Sequence, residues 1–160
     1  MKNNLKFVIC DVDGTLTDGG MYITESGDHF KRFHTRDGIA VKILKQHGIE
    51  VGLLSHSGVA KMVHERARML NINYCYVGKA DKLEVLQNWL KILNITTEQI
   101  AYLGDDVNDR KIMQAVGLSA CPADASLVIR KIATVVLKAK GGNACLREFV
   151  DDVLKLEYLD

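Results

Sequence analysis

Short apolar runs alternate with longer amphipathic segments along the chain, and this alternation constrains the fold more than any other feature of the sequence. A short apolar run bounded by turn residues is typical of a strand buried on both faces, whereas an apolar period near about 3.6 residues is typical of a helix. Six runs are predicted as strands: residues 7–10, 49–54, 74–77, 100–103, 118–121 and 134–137. Because helical patterns separate these runs, we expect a mainly parallel sheet with helices on both faces, a three-layer α/β/α arrangement.

A polar segment at about residues 17–35 interrupts this alternation after the first predicted strand. Two short β-like pieces, residues 21–23 and 29–33, flank the sequence Thr24-Glu25-Ser26-Gly27-Asp28 and predict a hairpin, which we call the flap. An isolated two-stranded hairpin is marginal in water. We therefore expect the flap to pack on its own domain or to pair with the flap of another subunit. Further along, the last predicted helix covers residues 149–156 of a tail that begins at about residue 140.

The size and charge of the chain exclude several classes of protein. With 160 residues, of which 48% are hydrophobic and 26% charged, it suits one domain spanning residues 1–160. A formal net charge of +1 argues against nucleic-acid or membrane binding through bulk charge. No apolar run approaches the roughly 20 residues that span a bilayer, and no signal peptide precedes the first strand, so we predict a cytoplasmic protein. The four cysteines lack Cys-x-x-Cys spacing and are predicted to be free thiols.

Polar side chains follow three of the predicted strands at the point where each strand ends. These side chains are Asp11, Asp13, Ser55, Asp105 and Asp109. The carboxyl ends of parallel strands meet at one edge of a sheet, where open α/β sheets bind their ligands. Lys82 opens a predicted helix and would add a positive charge there. Carboxylates without a Cys or His cluster suit Mg²⁺, which binds through carboxylates, waters and phosphate oxygens. Each residue alone has a structural reading as a turn, cap or exposed charge, but their joint occurrence favours catalysis.

These residues stand in four motifs that resemble the haloacid dehalogenase superfamily of phosphotransferases. The first motif, Asp-x-Asp-x-[Thr/Val]-[Leu/Val], is Asp11-Val12-Asp13-Gly14-Thr15-Leu16. The second is Ser55 after an apolar strand, the third is Lys82 at a helix start, and the fourth is Gly104-Asp105-Asp106-Val107-Asn108-Asp109. All four occur in the family's order across nearly the whole chain. The resemblance implies a Rossmann-like α/β/α fold and a Mg²⁺-dependent phosphatase.

The resemblance also implies a role for each carboxylate of the first motif. Asp11 would attack phosphorus and form an aspartyl-phosphate, and Asp13 would protonate the leaving oxygen and then activate water. The metal ligands would be Asp11, the Asp13 carbonyl and Asp105.

The remaining motif residues would support that chemistry. Ser55 and Lys82 would bind the oxygens of the transferring phosphoryl group. Asp109 would orient Lys82 or a metal-bound water, and Asp106 is a weaker candidate for the same supporting role.

A narrower resemblance concerns the tetrameric, capless phosphatases of 2-keto-3-deoxy sugar acids, typified by 3-deoxy-D-manno-octulosonate 8-phosphate phosphatase. Neither gap where relatives carry an inserted cap domain is long enough to hold one. Stretches similar to this group include Thr17-Asp18-Gly19-Gly20, Gly78-Lys79-Ala80-Asp81-Lys82-Leu83 and the tail Gly141-Gly142-Asn143-Ala144-Cys145-Leu146-Arg147-Glu148. The resemblance implies a homotetramer joined through the flaps, a sugar-acid phosphate substrate, and a role in supplying bacterial surface glycans such as lipopolysaccharide. Arg147 becomes a candidate for substrate or subunit contact, with an exposed helix-start cation as its alternative.

One departure leaves the substrate open. The octulosonate enzymes usually carry Thr-Gly-Arg after the second strand, whereas this chain reads Ser55-His56-Ser57-Gly58. An Arg there suits a sugar-acid carboxylate, and His56 would either replace that contact or be a simple loop residue. The alternatives are a nonulosonate 9-phosphate phosphatase, a phosphatase of another small metabolite, and a non-catalytic oligomerisation homologue. A response-regulator-like receiver would not explain the Asp-x-Asp-Gly-Thr opening.

Overall fold

The computed structural model describes residues 4–159, and its centre is a six-stranded parallel sheet of order β5-β4-β1-β6-β7-β8. The strands of the main sheet are β1 (Phe7–Cys10), β4 (Glu50–Ser55), β5 (Tyr74–Val77), β6 (Ile100–Leu103), β7 (Leu118–Cys121) and β8 (Val135–Val136). The helices are α1 (Thr35–Gln46), α2 (Ala60–Met69), α3 (Lys82–Leu93), α4 (Arg110–Ala115), α5 (Leu127–Ile132) and α6 (Cys145–Glu148). The predicted mainly parallel α/β/α fold is confirmed.

Alternation along β1 divides the core into two layers, one on each face of the sheet. Val8 and Cys10 belong to a cluster that includes residues of α1, α2 and α6, while Phe7 and Ile9 belong to a second cluster with residues of α3, α4 and α5. All four side chains are fully buried. A strand covered on both faces is apolar throughout rather than alternating with polar residues. This explains why β1 reads as a continuous apolar run.

The order of the strands places a topological switch beside β1. From β1 the chain adds β4 and β5 on one side, and then returns to add β6, β7 and β8 on the other. Cys10 pairs with Leu53 of β4 and with Leu103 of β6, so the three strands end side by side. Ligands of open α/β sheets bind outside the carboxyl ends of strands at such a switch. The fold therefore provides one place where residues following β1, β4 and β6 meet.

The flap is a two-stranded antiparallel hairpin of β2 (Tyr22–Ile23) and β3 (His29–Phe30), separate from the main sheet. Both strands are shorter than the predicted pieces, which covered residues 21–23 and 29–33. An isolated antiparallel bridge from Thr17 to Phe33 closes its base. At its tip, Gly27 has a φ of +84°, a conformation that an L side chain rarely adopts. Between residues 4 and 159, the two gaps where a cap would be inserted hold only this flap and, later, α2 with β5.

The tail packs against the loop that follows β1. Gly141 lies so close to this loop that a Cβ there would be 1.9 Å from the Gly14 carbonyl oxygen. The Gly142 N–H donates to the Thr15 carbonyl at 2.9 Å, and the Cys145 thiol donates to the same oxygen at 3.1 Å. Helix α6 then continues into a wider helical turn, Phe149–Leu154, so the predicted regular helix over 149–156 is wrong: the helix begins earlier and changes its winding.

The four cysteines are free in the structure, and three of them are buried. Within the described part of the chain, no helix has the length and apolar character needed to cross a bilayer.

Candidate active site

A cleft of about 340 Å³ lies at the carboxyl ends of β1, β4 and β6. We call it the acidic cleft, and its lining residues are Asp11, Asp13, Gly14, Gly19, Ser55, His56, Ser57, Asp105, Asp106 and Asn108. The residues predicted at the three strand ends thus meet in one place, as the parallel topology requires.

The floor of the acidic cleft is a buried pair between Asp11 and Lys82. Lys82 Nζ lies 2.9 Å from Asp11 Oδ1, and the side chains are only 2% and 5% exposed respectively. Lys82 is the first residue of α3, and the preceding Asp81 caps the helix by accepting a hydrogen bond from the Leu83 N–H at 2.9 Å. The cap fixes where the helix begins and therefore where the lysine enters the core.

Asp109 holds the other side of Lys82 and has no free oxygen. Its Oδ1 accepts from Lys82 Nζ at 2.6 Å and from the Tyr102 hydroxyl at 2.6 Å. Its Oδ2 accepts from the backbone N–H groups of Asp105 at 2.9 Å and Asp106 at 3.3 Å. Carboxylate oxygens of Asp11, Asp105 and Asp109 lie within 4.8 Å of one another. Because Asp109 is already saturated with donors, it suits a supporting role better than that of a metal ligand.

Asp105 is placed by the loop that follows β1. Its Oδ1 accepts from the Thr15 hydroxyl at 2.9 Å. Gly14 lies directly against it, with a φ of +91°, and a Cβ at this glycine would be 2.1 Å from Asp105 Oδ2. The first and fourth motifs are therefore in direct contact, and Gly14 is required there for its conformation and for the close approach.

The electrostatics of the floor favour an added cation. Burial, then the nearby Asp109 carboxylate, raises the pKa of Asp11 above its usual range although Lys82 opposes the shift. Burial also raises the pKa of Asp105 to about 7. Burial alone would lower the pKa of Lys82, but Asp11 and Asp109 raise it, so the lysine is charged. Three carboxylates thus face one ammonium, and an oxygen-binding divalent cation fits the excess negative charge.

Ser55 and His56 stand on the side of the acidic cleft formed by β4. Ser55 is the last residue of β4 and is buried, and its Oγ accepts from the Ser57 N–H at 3.1 Å. His56 donates from Nε2 to the Ala80 carbonyl at 2.8 Å. This contact ties the β4 loop to the loop before α3 and gives His56 a structural function besides its position in the lining.

Asp13 stands on the open side of the acidic cleft, and its partner is a residue that the sequence did not single out. Lys31, just beyond β3 of the flap, forms an ion pair through Nζ with Asp13 Oδ1. Asp13 is 39% exposed and Lys31 is 13% exposed. The flap therefore packs on its own domain at this point, one of the two outcomes expected for it.

Two further predicted residues have different positions. Asp106 lines the cleft and caps the Val107–Asp109 turn by accepting from the Val107 N–H at 2.8 Å. Arg147 does not line the acidic cleft: its Nε donates to both oxygens of Asp151, at 2.8 and 2.7 Å, beside a separate surface depression. Its role in substrate or subunit contact stays a prediction.

Some residues that contribute to the site were not identified from the sequence. They are Tyr102, Lys31 and the Gly141-Gly142 pair. Tyr102 reads as one more apolar strand residue, and Lys31 as one charge in a polar hairpin. A signal for Lys31 was its place between two aromatic residues, Phe30 and Phe33, in a piece otherwise suited to a strand. Nothing in the sequence specified that it would face Asp13.

Comparisons with known proteins agree with this fold. A model of haloacid dehalogenase-like hydrolases matches residues 70–147. The 3-deoxy-D-manno-octulosonate 8-phosphate phosphatase KdsC of Yersinia pestis is 38% identical over 151 residues, covering 94% of this chain and 80% of that protein. The cobalt-bound structure of the Haemophilus influenzae enzyme superposes with a TM-score of 0.90 at 36% identity, covering 96% of this chain and 90% of the other.

A third relative was crystallised with ligands. The Moraxella catarrhalis 3-deoxy-D-manno-octulosonate 8-phosphate phosphatase, in complex with a magnesium ion, a phosphate ion and a KDO molecule, has a TM-score of 0.91 at 31% identity. The match covers 96% of this chain and 88% of that one. This chain therefore belongs to the haloacid dehalogenase-like hydrolases. Within that class, it belongs to the family that contains the 3-deoxy-D-manno-octulosonate 8-phosphate phosphatases. The predicted superfamily and phosphatase class are confirmed.

Proposed function

We propose that this protein is a Mg²⁺-dependent phosphatase that hydrolyses a 2-keto-3-deoxy sugar acid phosphate, with 3-deoxy-D-manno-octulosonate 8-phosphate as the leading substrate. The observation that carries the proposal is the meeting of Asp11, Asp13, Ser55, Lys82 and Asp105 around one cleft. Relatives that share 38% and 36% identity over at least 94% of the chain are named for this activity.

The reaction would take place in two displacements. An Asp11 carboxylate oxygen attacks phosphorus, the bond to the sugar oxygen breaks, and Asp13 gives its proton to that leaving oxygen. In the second displacement Asp13 takes a proton from water as the water attacks the phosphorus of the aspartyl-phosphate. Inorganic phosphate leaves and the Asp11 carboxylate is restored.

Lys82 and Ser55 would stabilise the phosphoryl group during both displacements. Lys82 Nζ lies 2.9 Å from the attacking carboxylate, so its charge is next to the point where phosphate charge accumulates. Asp11, Asp105 and the Asp13 carbonyl would hold Mg²⁺, which supplies charge neutralisation between the carboxylates and the phosphate. Asp109 fixes Lys82 without competing for the metal, because its oxygens are already occupied.

A second substrate of the same class is left open by the residues at the end of β4. His56 and Ser57 line the acidic cleft where octulosonate enzymes usually carry the Arg of Thr-Gly-Arg. An imidazole and a hydroxyl lack the bidentate carboxylate contact of a guanidinium, so the end of β4 leaves the identity of the sugar acid open. A nonulosonate 9-phosphate is therefore the alternative substrate.

Phosphate release with Mg²⁺ tests the proposal. The substrates are octulosonate 8-phosphate, nonulosonate 9-phosphates and common sugar phosphates at equal concentration. We expect kcat/KM for a sugar-acid phosphate to exceed that for glucose 6-phosphate by about two orders of magnitude, because binding contacts to the acid are used in the transition state. Equal rates on all substrates, or no release from any, would contradict the proposed function.

We also propose that four copies assemble through their flaps and act in the cytoplasm. The flap exposes Met21 at 82%, Ile23 at 54% and Phe30 at 52%, an apolar surface unusual for so small a hairpin. Tyr22 stacks on Phe30 with ring centroids 4.9 Å apart, so the two strands of the flap share an aromatic contact. Light scattering is expected to give a mass near four times 17.8 kDa. A monomer would refute the assembly without affecting the proposed chemistry.

A further inference from the structure

Lys31 is a charged side chain of the flap that is largely shielded from solvent. In the two flap strands Ile23, His29 and Phe30 are exposed, whereas the Lys31 side chain, one residue beyond β3, is only 13% exposed. A lysine is rarely buried to this extent without a partner, and the partner here is Asp13. The flap therefore delivers a cation to the carboxylate on the open side of the acidic cleft.

Contacts of neighbouring flap residues hold the backbone around Lys31 in place. The bridge from Thr17 to Phe33 closes the base of the flap two residues beyond Lys31. The neighbouring Arg32 donates from Nη1 to the Gly142 carbonyl at 3.3 Å. Tyr22 on the other strand donates from its hydroxyl to Asp18 Oδ2 at 2.5 Å. The flap is thus anchored on both the tail and the loop that follows β1.

Asp13 has little else to hold it. Across residues 4–159, Lys31 is the one donor to its side chain, and the bond goes to Oδ1. Its backbone lies between Val12 and Gly14 in the loop after β1, and the carboxyl group is 39% exposed. Asp11, by contrast, is held by a buried lysine on a core helix. Removing the Lys31 ammonium would leave the Asp13 carboxylate free to rotate among its rotamers.

We propose that Lys31 is a positioning residue that fixes the Asp13 carboxylate for proton transfer to the leaving oxygen. With Oδ1 held by Lys31, Oδ2 is the oxygen that exchanges the proton with the leaving group and later with water. This inference rests on the proposed function, in which Asp13 gives a proton to the sugar oxygen as the phosphorus–oxygen bond breaks. It makes the flap part of the catalytic machinery as well as a surface for assembly.

The dependence on the leaving group tests this proposal. A misplaced general acid slows the departure of a basic sugar alkoxide far more than that of acetate, which leaves without protonation. For Lys31→Met we expect kcat on the sugar-acid phosphate to fall by about 10- to 100-fold while KM changes by less than about threefold. Because Asp13 also acts as the base of the second displacement for either substrate, the two substrates are compared by single-turnover release of the leaving group. The rate of acetate release from acetyl phosphate is expected to stay within about threefold of wild type. Lys31→Arg, which keeps a cation, is expected to recover part of the loss.

Lys42→Met is the matched control, because Lys42 is an exposed lysine of α1 and its loss makes the same change in charge. Lys42→Met should leave the rates on both substrates unchanged. Equal losses in single-turnover release of the sugar acid and of acetate, or no loss in either, would overturn the positioning role. Light scattering of each variant separates a loss of assembly from a loss of proton transfer.

A crystal structure of Lys31→Met gives a readout that does not need turnover. We expect the Asp13 carboxylate to leave the rotamer that it has beside Lys31. An unchanged Asp13 side chain would overturn the inference even if the variant were slow. If the wild-type protein releases no phosphate from any ester, the proposed function fails, and the Asp13 rotamer still decides whether Lys31 positions this side chain.

Discussion

Two lysine–aspartate pairs lie at the same cleft, and they are built in different ways. The Lys82–Asp11 pair is buried, with side chains 2% and 5% exposed, and its lysine begins a core helix. The Lys31–Asp13 pair is 13% and 39% exposed, and its lysine comes from the flap. The proposed nucleophile is thus held by the core, whereas the proposed acid is held by a surface hairpin.

The difference separates the two tasks of the site. A nucleophile and the phosphoryl group need a preorganised, water-poor environment, which only the core provides. The acid must reach the sugar oxygen of the bound substrate, so it stands on the open side of the cleft. Because the floor shares its contacts with the core, removal of its shared cation should cost both stability and activity. Changes at the flap pair should cost activity alone.

The largest effect is expected for Lys82→Met. The substitution leaves the buried Asp11 and Asp109 carboxylates without their shared cation, and breaking such a buried pair typically costs about 3–5 kcal/mol. We expect the free energy of unfolding to fall by this order and kcat to fall by about 10²–10³-fold. Chemical denaturation and phosphate release measure the two effects.

Lys111→Met is the control for charge. Lys111 pairs with Asp81 at 2.8 Å, but its side chain is 74% exposed. Exposed pairs are worth about 0–1 kcal/mol, so stability and kcat should hardly change. If Lys82→Met changed stability and kcat as little as Lys111→Met, the claim that the buried floor matters more than the surface would be contradicted.

A smaller effect is expected where the tail supports the floor. In Gly141→Ala the new methyl group would lie 1.9 Å from the Gly14 carbonyl oxygen and 3.0 Å from that of Thr17, so the loop after β1 must move. Overpacking of this kind costs about 1–3 kcal/mol, and a displaced catalytic group costs about 10²-fold in rate. Gly58→Ala is the control near the same cleft, since its methyl meets nothing within 4 Å. Similar losses in both variants would contradict the buttressing role of the tail.

The smallest and most specific effect concerns Asp37, a buried carboxylate with no lysine at all. Its Oδ1 accepts from the backbone N–H of Arg147 at 3.0 Å, while its Oδ2 has no partner among residues 4–159. Burial raises the pKa of Asp37 from 3.8 to about 6. The folded state therefore binds more protons than the unfolded state between these values, and this group lowers stability as the pH rises through that window.

Asp37→Asn should remove that pH dependence, because its amide oxygen can accept the same N–H without a charge. The gain in unfolding free energy over wild type is expected to grow from pH 4 to pH 6 and to level off at no more than about 3 kcal/mol. Denaturation of both proteins across this range measures the difference. A constant difference at all pH values would contradict a raised pKa at Asp37.

The sequence was most informative where the function depends on local order along the chain. The apolar runs at β5, β6 and β7 were predicted with the bounds that the structure has, because a strand buried on both faces leaves a continuous apolar signal. Asp11, Asp13, Ser55 and Asp105 were placed at one edge because parallel strands end together. These inferences need only the period of the pattern and the direction of the strands.

Contacts between distant segments could not be predicted in the same way. Lys31 meets Asp13 across 18 residues, and Gly141 meets Gly14 across a much longer stretch. Each contact depends on how the flap and the tail pack on the loop after β1, and neither leaves a periodic pattern. The wider winding of Phe149–Leu154, in the part of the tail that packs against α1, likewise leaves no signal in the apolar period of the sequence.

Phosphate release by Asp11→Asn tests the central claim most directly. Asn is nearly isosteric, and because burial disfavours the Asp11 charge, the thermal stability of the variant should equal or exceed that of wild type. We expect no detectable release of phosphate from the sugar-acid phosphate or from acetyl phosphate, since neither can react without the carboxylate nucleophile. A folded Asp11→Asn protein that still turns over either substrate would contradict the account.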